Sequence, residues 1–134
     1  KYGTGSLFFD GTGDYLTAVN NVGDSFNFNT SDFTIEGWLY TTTVAAGKRT
    51  ICATRTTAAD TTAGRFSLYV NAAALEFYSG SAAVVSAGTV VVNTWTHFAV
   101  TRNSGSVRLF LNGSQVGSTT SFTTTRTSTS LTHL

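Results

Sequence analysis

A carboxylate and aromatic rings at alternate positions of one stretch are the side chains best suited to bind a ligand. Glu36, Trp38 and Tyr40 share one face if the chain is extended there, because successive side chains of a strand point to opposite sides. Tyr69 and Tyr78 lie opposite the apolar positions of two further β-prone runs. Aromatic rings stack on apolar sugar faces, and carboxylates accept hydrogen bonds from hydroxyl groups. The five residues are therefore predicted to line one sheet surface that binds a glycan or a protein. The alternative is that the rings pack inside the domain or against neighbouring domains.

Catalysis on a glycan requires more than this surface offers. Hydrolysis of a glycosidic bond uses two carboxyl groups at a fixed separation, one as acid and one as nucleophile or base. The chain has only two glutamates, Glu36 and Glu76, on separate predicted strands, and no Glu-x-Asp pattern. Glu36 beside Trp38 is the only suggestive pair, and His97 is interpreted as a hydrogen-bonded structural histidine. We therefore expect no enzymatic activity.

Asp10, Asp14, Asp24 and Asp60 are candidate calcium ligands, because they lie in or beside predicted turns where hard oxygen ligands could converge. The chain contains no Asp-x-Asp-x-Asp-Gly loop, and aspartate is also a common turn former. Calcium is therefore the one cofactor that the sequence leaves open. Cys52 is the only cysteine, so no internal disulfide can form, and a buried, unreactive thiol is the favoured interpretation.

Composition and charge exclude some classes of partner. A formal net charge of +1 without a basic stripe argues against nucleic acid, whose phosphates require clustered lysine and arginine. No apolar run is long enough to insert into a membrane, and no signal peptide is recognisable. A surface rich in serine and threonine and poor in charge is associated with extracellular and virion proteins. Because the chain starts at Lys1, we expect a processed product or part of a longer chain.

The elements that must position these residues are strands. Short β-prone runs alternate with turn signals, and no apolar pattern has helical spacing over a useful length. The predicted runs are Ser6–Phe9, Asp14–Val19, Phe33–Tyr40, Thr50–Thr54, Arg65–Val70, Ala74–Tyr78, Ala82–Ser86, Thr89–Val92, Trp95–Arg102, Val107–Leu111 and Gln115–Ser118. Such a pattern predicts one all-β domain over residues 1–134, with two antiparallel sheets packed face to face.

Specific packing follows from the same pattern. The side chains predicted to fill the space between the sheets are Phe33, Ile35, Leu68, Val100 and Leu109. Asn112-Gly113 is the strongest hairpin signal in the chain, because both residue types tolerate positive φ. Gly37 is expected to leave room for a neighbouring large ring, supplied by Trp38 or Trp95.

Four motifs occur in the order typical of one family, and they span Ser6–Leu16, Asp32–Trp38, Asn93–Arg102 and Val107–Gly113. On these motifs the chain resembles the laminin-G-like modules of the concanavalin A-like lectin/glucanase superfamily, of the type found in phage virion and bacterial surface proteins. The resemblance implies a jelly-roll sandwich of two antiparallel sheets, one of them concave. Several modules of this family bind calcium through Asp side chains and loop carbonyls at a rim of the sandwich, so the resemblance also implies that this chain could bind calcium there.

One departure from the family concerns its last strand. Members usually continue past the position of Leu131 into a closing strand, whereas this sequence ends at Leu134. We therefore expect the remainder of a longer chain, a second copy or another chain to donate a strand at this C-terminal edge, since uncovered sheet edges invite pairing.

Three functions remain open from the sequence. The first is a non-catalytic recognition or structural module of a phage capsid, tail or fibre, or of a cell-surface assembly, with glycans or neighbouring subunits as partners. The second is a carbohydrate-active, glucanase-like enzyme or its remnant. The third is a ligand-free assembly domain, in which the exposed aromatic residues contact other subunits, including copies of the same chain.

Overall fold

The computed structural model describes residues 3–18, 28–54, 65–123 and 132–133 of the chain. The ordered elements in these residues are strands, and no helix occurs among them. In chain order the strands are β1 (Thr17–Ala18), β2 (Phe33–Leu39), β3 (Arg49–Ala53), β4 (Phe66–Asn71), β5 (Ala74–Ser79), β6 (Ala82–Ala87), β7 (Thr96–Asn103), β8 (Ser106–Leu111), β9 (Ser114–Ser121) and β10 (Thr132–His133).

The strands form two antiparallel sheets. One sheet has six strands in the order β1-β10-β3-β4-β5-β6, and the other has four in the order β2-β7-β8-β9. In the second sheet, β7, β8 and β9 follow one another as hairpins, whereas β2 pairs directly with β7 although strands β3 to β6 of the other sheet lie between them in the sequence. The all-β sandwich of two antiparallel sheets is therefore confirmed.

The core consists of the inward-facing residues of both sheets. Leu68 of the six-stranded sheet and Val100 and Leu109 of the four-stranded sheet have no exposed surface. Phe33 is also buried, and Ile35 is half-buried against the same cluster. The five predicted core positions are thus confirmed, because alternation along a strand reports directly which side chains point inward.

Gly37 accommodates a ring, but a different one from the two that were expected. A Cβ atom built on Gly37 lies 3.1 Å from both Cε1 and Cζ of Phe98, its partner in the β2–β7 register. The expectation that Trp38 or Trp95 fills this space was wrong. Phe98 is buried on the inner side of its strand, whereas Trp38 points outward, so only the former can reach across the glycine.

Two hairpin turns, one predicted from its Asn-Gly pair and one from the spacing of its strands, have positive φ at both central residues. Asn112 and Gly113 join β8 to β9 with φ values of 49° and 80°, as a type I′ turn requires. Ala72 and Ala73 join β4 to β5 with φ values of 46° and 72°, in the same left-handed region. Alanine carries no signal for that conformation, which costs roughly 1–2 kcal/mol per residue with a Cβ atom.

Two of the predicted strands are absent from the described residues. Ser6–Phe9 pairs with no other strand there, and Leu7 and Phe8 are 68% and 84% exposed. Thr89–Val92 is also not a strand: Val90 alone is buried and donates its N–H to the carbonyl of Ala73 at 2.8 Å. Both runs have strand-forming residues, but a strand also needs a ladder partner along its length.

The edges of the sandwich differ. β6 and β9, at one edge of each sheet, contact each other, and a Cβ atom built on Gly117 would lie 2.5 Å from Cβ of Ala87. At the other side, the short strand β10 lies between β1 and β3, while within the described residues β2 pairs only with β7. The donation of a closing strand by another chain stays a prediction.

Candidate functional site

The five residues predicted to line one ligand surface lie on two. Glu36 and Trp38 are on the outer face of β2, and Tyr40 directly follows it, all in the four-stranded sheet. Tyr69 and Tyr78 are on the outer faces of β4 and β5, in the six-stranded sheet on the opposite side of the core. The prediction of a single surface was therefore wrong. Alternation assigns a side chain to a face of its strand, but it does not assign the strand to a sheet.

The first surface is an aromatic platform formed by Trp38, Tyr40, Trp95 and His97. Trp38 faces His97 across the β2–β7 pair, with ring centroids 5.2 Å apart in an edge-on arrangement. The Tyr40 and Trp95 rings are 5.5 Å apart. Trp38 and Tyr40 are 40% and 48% exposed, so they present apolar ring surface to solvent. This arrangement offers stacking surface to a flat, partly apolar ligand.

Polar groups lie next to the platform. The Glu36 carboxylate, with a side chain 63% exposed, has its Oε2 atom 3.7 Å from Nε2 of His97. An exposed pair of this kind adds little stability, so the carboxylate remains available to accept hydrogen bonds from a ligand. The backbone N–H of His97 donates to Oδ1 of Asn112, and Asn112 N–H donates to the His97 carbonyl, both at 2.9 Å. The β8–β9 turn thereby fixes the backbone of His97, in line with a structural role.

The second surface contains a tyrosine–lysine cluster formed by Lys48, Tyr69 and Tyr78. The two tyrosine rings meet edge to face at 5.5 Å. The ammonium of Lys48 lies 3.9 Å from the ring centroid of Tyr78 and 5.4 Å from that of Tyr69. Tyr69 is only 7% exposed, and Lys48 covers the ring of Tyr78. As the structure stands, these tyrosines do not present an open stacking platform.

Beside this cluster lies a buried carboxylate that the sequence reasoning treated only as a possible catalytic group. Glu76 faces Tyr69 across the β4–β5 pair and is buried. Its Oε1 atom accepts hydrogen bonds from Asn71 Nδ2 at 3.3 Å and from Ser86 Oγ at 3.1 Å, whereas its Oε2 atom has no hydrogen-bond partner. The signal was present in the alternation of β5, which puts Glu76 and Tyr78 on one face. The participation of Lys48, which lies in a connection between sheets, had no such signal.

Glu36 does not lie at a glycosidase-like distance from Glu76 or Asp32. Glu36 and Glu76 lie on opposite outer faces, with two sheets that stack about 10 Å apart between them. Asp32 precedes Glu36 by four strand positions, or about 13 Å of extended chain. Carboxyl groups of glycosidases are closer, at about 5–9.5 Å.

The candidate calcium ligands are only partly described. Asp10 and Asp14 lie in one turn, where Asp14 Oδ2 accepts the N–H of Asp10 at 2.9 Å and Asp10 Oδ1 accepts the N–H of Thr12 at 2.6 Å. Asp24 and Asp60 lie outside the described residues. No group of three potential metal-ligating side chains occurs in the part of the chain that is described. Calcium binding stays a prediction, and the two described aspartates stabilise a turn.

Cys52 lies on the inner side of β3. It is a free, buried thiol, as the sequence predicted. Burial disfavours the thiolate and raises the pKa of Cys52 to about 12, so the group stays protonated and unreactive at neutral pH. Within the described residues, there is also no helix that could cross a membrane.

Comparison with known proteins identifies the relatives of this fold. A laminin-G family model, described as concanavalin A-like lectin/glucanases superfamily, matches residues 10–133. The match covers nearly the entire sequence, including all the strands described above. A search of curated proteins found no match to the chain.

Proposed function

The chain belongs to the concanavalin A-like lectin/glucanases superfamily, and on that premise we propose that it is a non-catalytic recognition module that binds glycans through the aromatic platform. The superfamily assignment itself supports a carbohydrate-binding or structural module. The observation that carries the more specific proposal is the exposure of Trp38 and Tyr40 on one face of the four-stranded sheet. Contiguous apolar patches, unlike single exposed side chains, mark contacts with a ligand or another protein, and Trp38 and Tyr40 lie on this face beside His97 and Trp95.

The chemistry of the platform suits a sugar. The exposed rings can stack on the apolar face of a pyranose, and the Glu36 carboxylate can accept hydrogen bonds from its hydroxyl groups. Side chains two positions apart on a strand are about 7 Å apart, so one oligosaccharide can contact both Trp38 and Tyr40. The His97 ring packs against the Trp38 ring, with centroids 5.2 Å apart and an interplanar angle of 65°.

A glycan array with the wild-type chain and Trp38→Ala tests this proposal. We expect the affinity for the bound glycans to fall about five- to thirtyfold, because a stacking ring contributes on the order of 1–2 kcal/mol. Tyr78→Ala is the matched control, since it removes an aromatic ring from the opposite outer face, and it should leave glycan binding unchanged. Repeating the array with calcium and with a chelator tests the calcium prediction. Equal binding by wild type and Trp38→Ala would remove the platform from consideration.

The setting of the module is part of the proposal. The weakly charged surface, rich in serine and threonine, favours a place on the outside of a particle or a cell. We propose a virion (capsid, tail or fibre) or a cell-surface assembly. Immunogold labelling of purified particles and intact cells, with an antibody against this chain, tests the location.

Assembly without a ligand is a second candidate, and one observation favours it. Leu7, Phe8 and Phe9 form a run of exposed apolar side chains in the segment before β1. Such a run is a candidate contact with a neighbouring subunit. Light scattering across a hundredfold range of concentration tests this candidate: concentration-dependent association that Phe8→Ser abolishes supports an assembly domain, whereas a monomer at all concentrations contradicts self-assembly.

A glucanase-like enzyme is the remaining alternative. The separation of Glu36 from Glu76 by the sandwich core supports a non-catalytic module. Release of reducing sugars from β-glucan by the wild type, lost in Glu36→Gln, would support the enzyme instead.

A further inference from the structure

We propose that the outer face of the six-stranded sheet carries a binding site for an alkylammonium group, formed by Tyr69, Tyr78 and Glu76, which Lys48 of this chain occupies and a ligand enters when Lys48 withdraws. This site lies on the opposite side of the core from the aromatic platform and is independent of glycan binding.

The two tyrosine rings provide the walls of the site. Their edge-to-face packing at 5.5 Å gives two ring faces at a steep angle, with an interplanar angle of 77°. A cation near such faces is attracted by their electron-rich centres. Lys48 already exploits this attraction, since its ammonium lies 3.9 Å from the Tyr78 centroid and 5.4 Å from the Tyr69 centroid. The walls are therefore shaped for an ammonium group.

The floor of the site carries the opposite charge. Glu76 lies directly across from Tyr69 and two positions before Tyr78 on the same face of β5. Asn71 and Ser86 donate hydrogen bonds to one carboxylate oxygen, which fixes the side chain, while the buried Oε2 atom has no partner. A buried acceptor left unpaired is rare in folded proteins. The Lys48 ammonium contacts the rings but leaves this oxygen unpaired, whereas a ligand ammonium that lies closer to Glu76 can donate one of its three N–H groups to it.

Lys48 has the properties of a removable occupant. It is exposed and lies in the connection between β2 and β3, and within the described residues its ammonium contacts the two rings but forms no ion pair. The neighbouring backbone is held independently, because Gly47 N–H donates to Asn71 Oδ1 at 3.2 Å. The lysine side chain can therefore swing into solvent, a gain in side-chain entropy, without displacing the loop.

The charge of the site selects the class of ligand. Ring faces and a carboxylate both repel anions and attract cations, and Lys48 shows that the space accepts the end of an alkylammonium chain. The ligand chemistry is shared by free amines and by lysine side chains of a partner protein, and the experiment separates these two sources.

Titration of the Lys48→Ala chain with n-butylammonium chloride tests the proposal, with backbone NMR signals of Tyr69, Glu76 and Tyr78 as the readout. We expect saturable shifts and a dissociation constant at least about tenfold smaller than for the wild type, because the mutation removes the internal competitor. 1-Butanol, which has the same chain without the charge, should bind far more weakly. Nα-acetyl-lysine amide forms the second arm, and tighter binding of this probe than of n-butylammonium indicates a polypeptide ligand.

Further variants in the Lys48→Ala background separate this site from general charge effects. Glu76→Gln keeps the shape of the side chain and should weaken n-butylammonium binding about tenfold, as should Tyr78→Leu, which serves if Glu76→Gln does not fold. Trp38→Ala should change nothing, because it lies on the other face. Equal binding of n-butylammonium and 1-butanol, or affinity in Lys48→Ala no greater than in wild type, overturns the proposal. Neither outcome bears on glycan binding by the platform.

Discussion

At the scale of single residues, burial decides which reactive groups of this domain can act. Cys52 is enclosed between the sheets and has its pKa raised by desolvation, whereas the carboxylate of Glu36 and the ring of Trp38 remain accessible. The burial of Cys52 could be predicted from a single apolar run. The burial of Glu76 could not, because it depends on the packing of Tyr69 and on its hydrogen bonds to residues on both neighbouring strands.

The buried thiol makes stability depend on pH in the alkaline range. The pKa of Cys52 is raised from 9.0 to about 12, so between these values the unfolded chain loses the proton while the folded chain keeps it. The contribution of this thiol to the free energy of unfolding is fully present below pH 9, and it declines as the pH rises from 9 towards 12. The stabilisation of wild type relative to Cys52→Ala should therefore fall by about 1.4 kcal/mol between pH 8 and pH 10. Urea unfolding of both chains measures it, and the difference removes the contribution of tyrosines and lysines. A constant difference would show that the thiol ionises equally in both states.

At the scale of elements, sequence pattern predicts strands well when the strand has partners along its whole length. The run that became β2 was predicted almost residue for residue, because its alternation is matched by seven paired positions on β7. Ser6–Phe9 has the same local character but no ladder partner in the described residues. Pairing between distant segments is not encoded in local alternation, which is also why Tyr69 and Tyr78 were placed on the wrong surface.

The turn between β4 and β5 offers a test of conformational strain at the element scale. Ala72 and Ala73 both adopt positive φ, which Asn and Gly adopt more readily. Replacing the pair by Asn-Gly should raise the free energy of unfolding by about 1–2 kcal/mol without changing the fold. The reciprocal change of Asn112-Gly113 to Ala-Ala should lower it by a similar amount. Urea denaturation of the two variants and the wild type measures both effects. No gain in the first variant would show that the alanine turn is unstrained.

At the scale of the whole molecule, the sandwich is closed along the side where β6 and β9 meet. Gly117 allows this approach, because a Cβ atom at this position would lie 2.5 Å from Cβ of Ala87, which is too close for two non-bonded carbon atoms. The contact joins strands of different sheets, so no local pattern predicts it. The fold class can be predicted from the alternation of inward and outward side chains alone. How closely the two sheets approach each other depends on individual glycines such as Gly117, and this cannot be predicted from that alternation.

Gly117→Ala and Gly113→Ala together separate this contact from backbone strain. Both glycines have positive φ, 68° and 80°, but a Cβ atom on Gly113 has nothing within 4 Å. Both variants should lose about 1–2 kcal/mol through the backbone. Gly117→Ala should lose a further 1–3 kcal/mol, roughly the effect of overpacking a core, because β6 or β9 must move. Thermal unfolding of the two variants gives the comparison, and equal losses would mean that the sheets separate freely at this edge.

The opposite orientation of the two outer faces has a consequence for how such a domain can be used. A polysaccharide lying on one side leaves the other side open to solvent, since the whole thickness of the protein stands between them. If each face binds its proposed ligand, one copy of the domain can hold a glycan and an ammonium-bearing ligand at the same time, and neither ligand has to dissociate before the other binds.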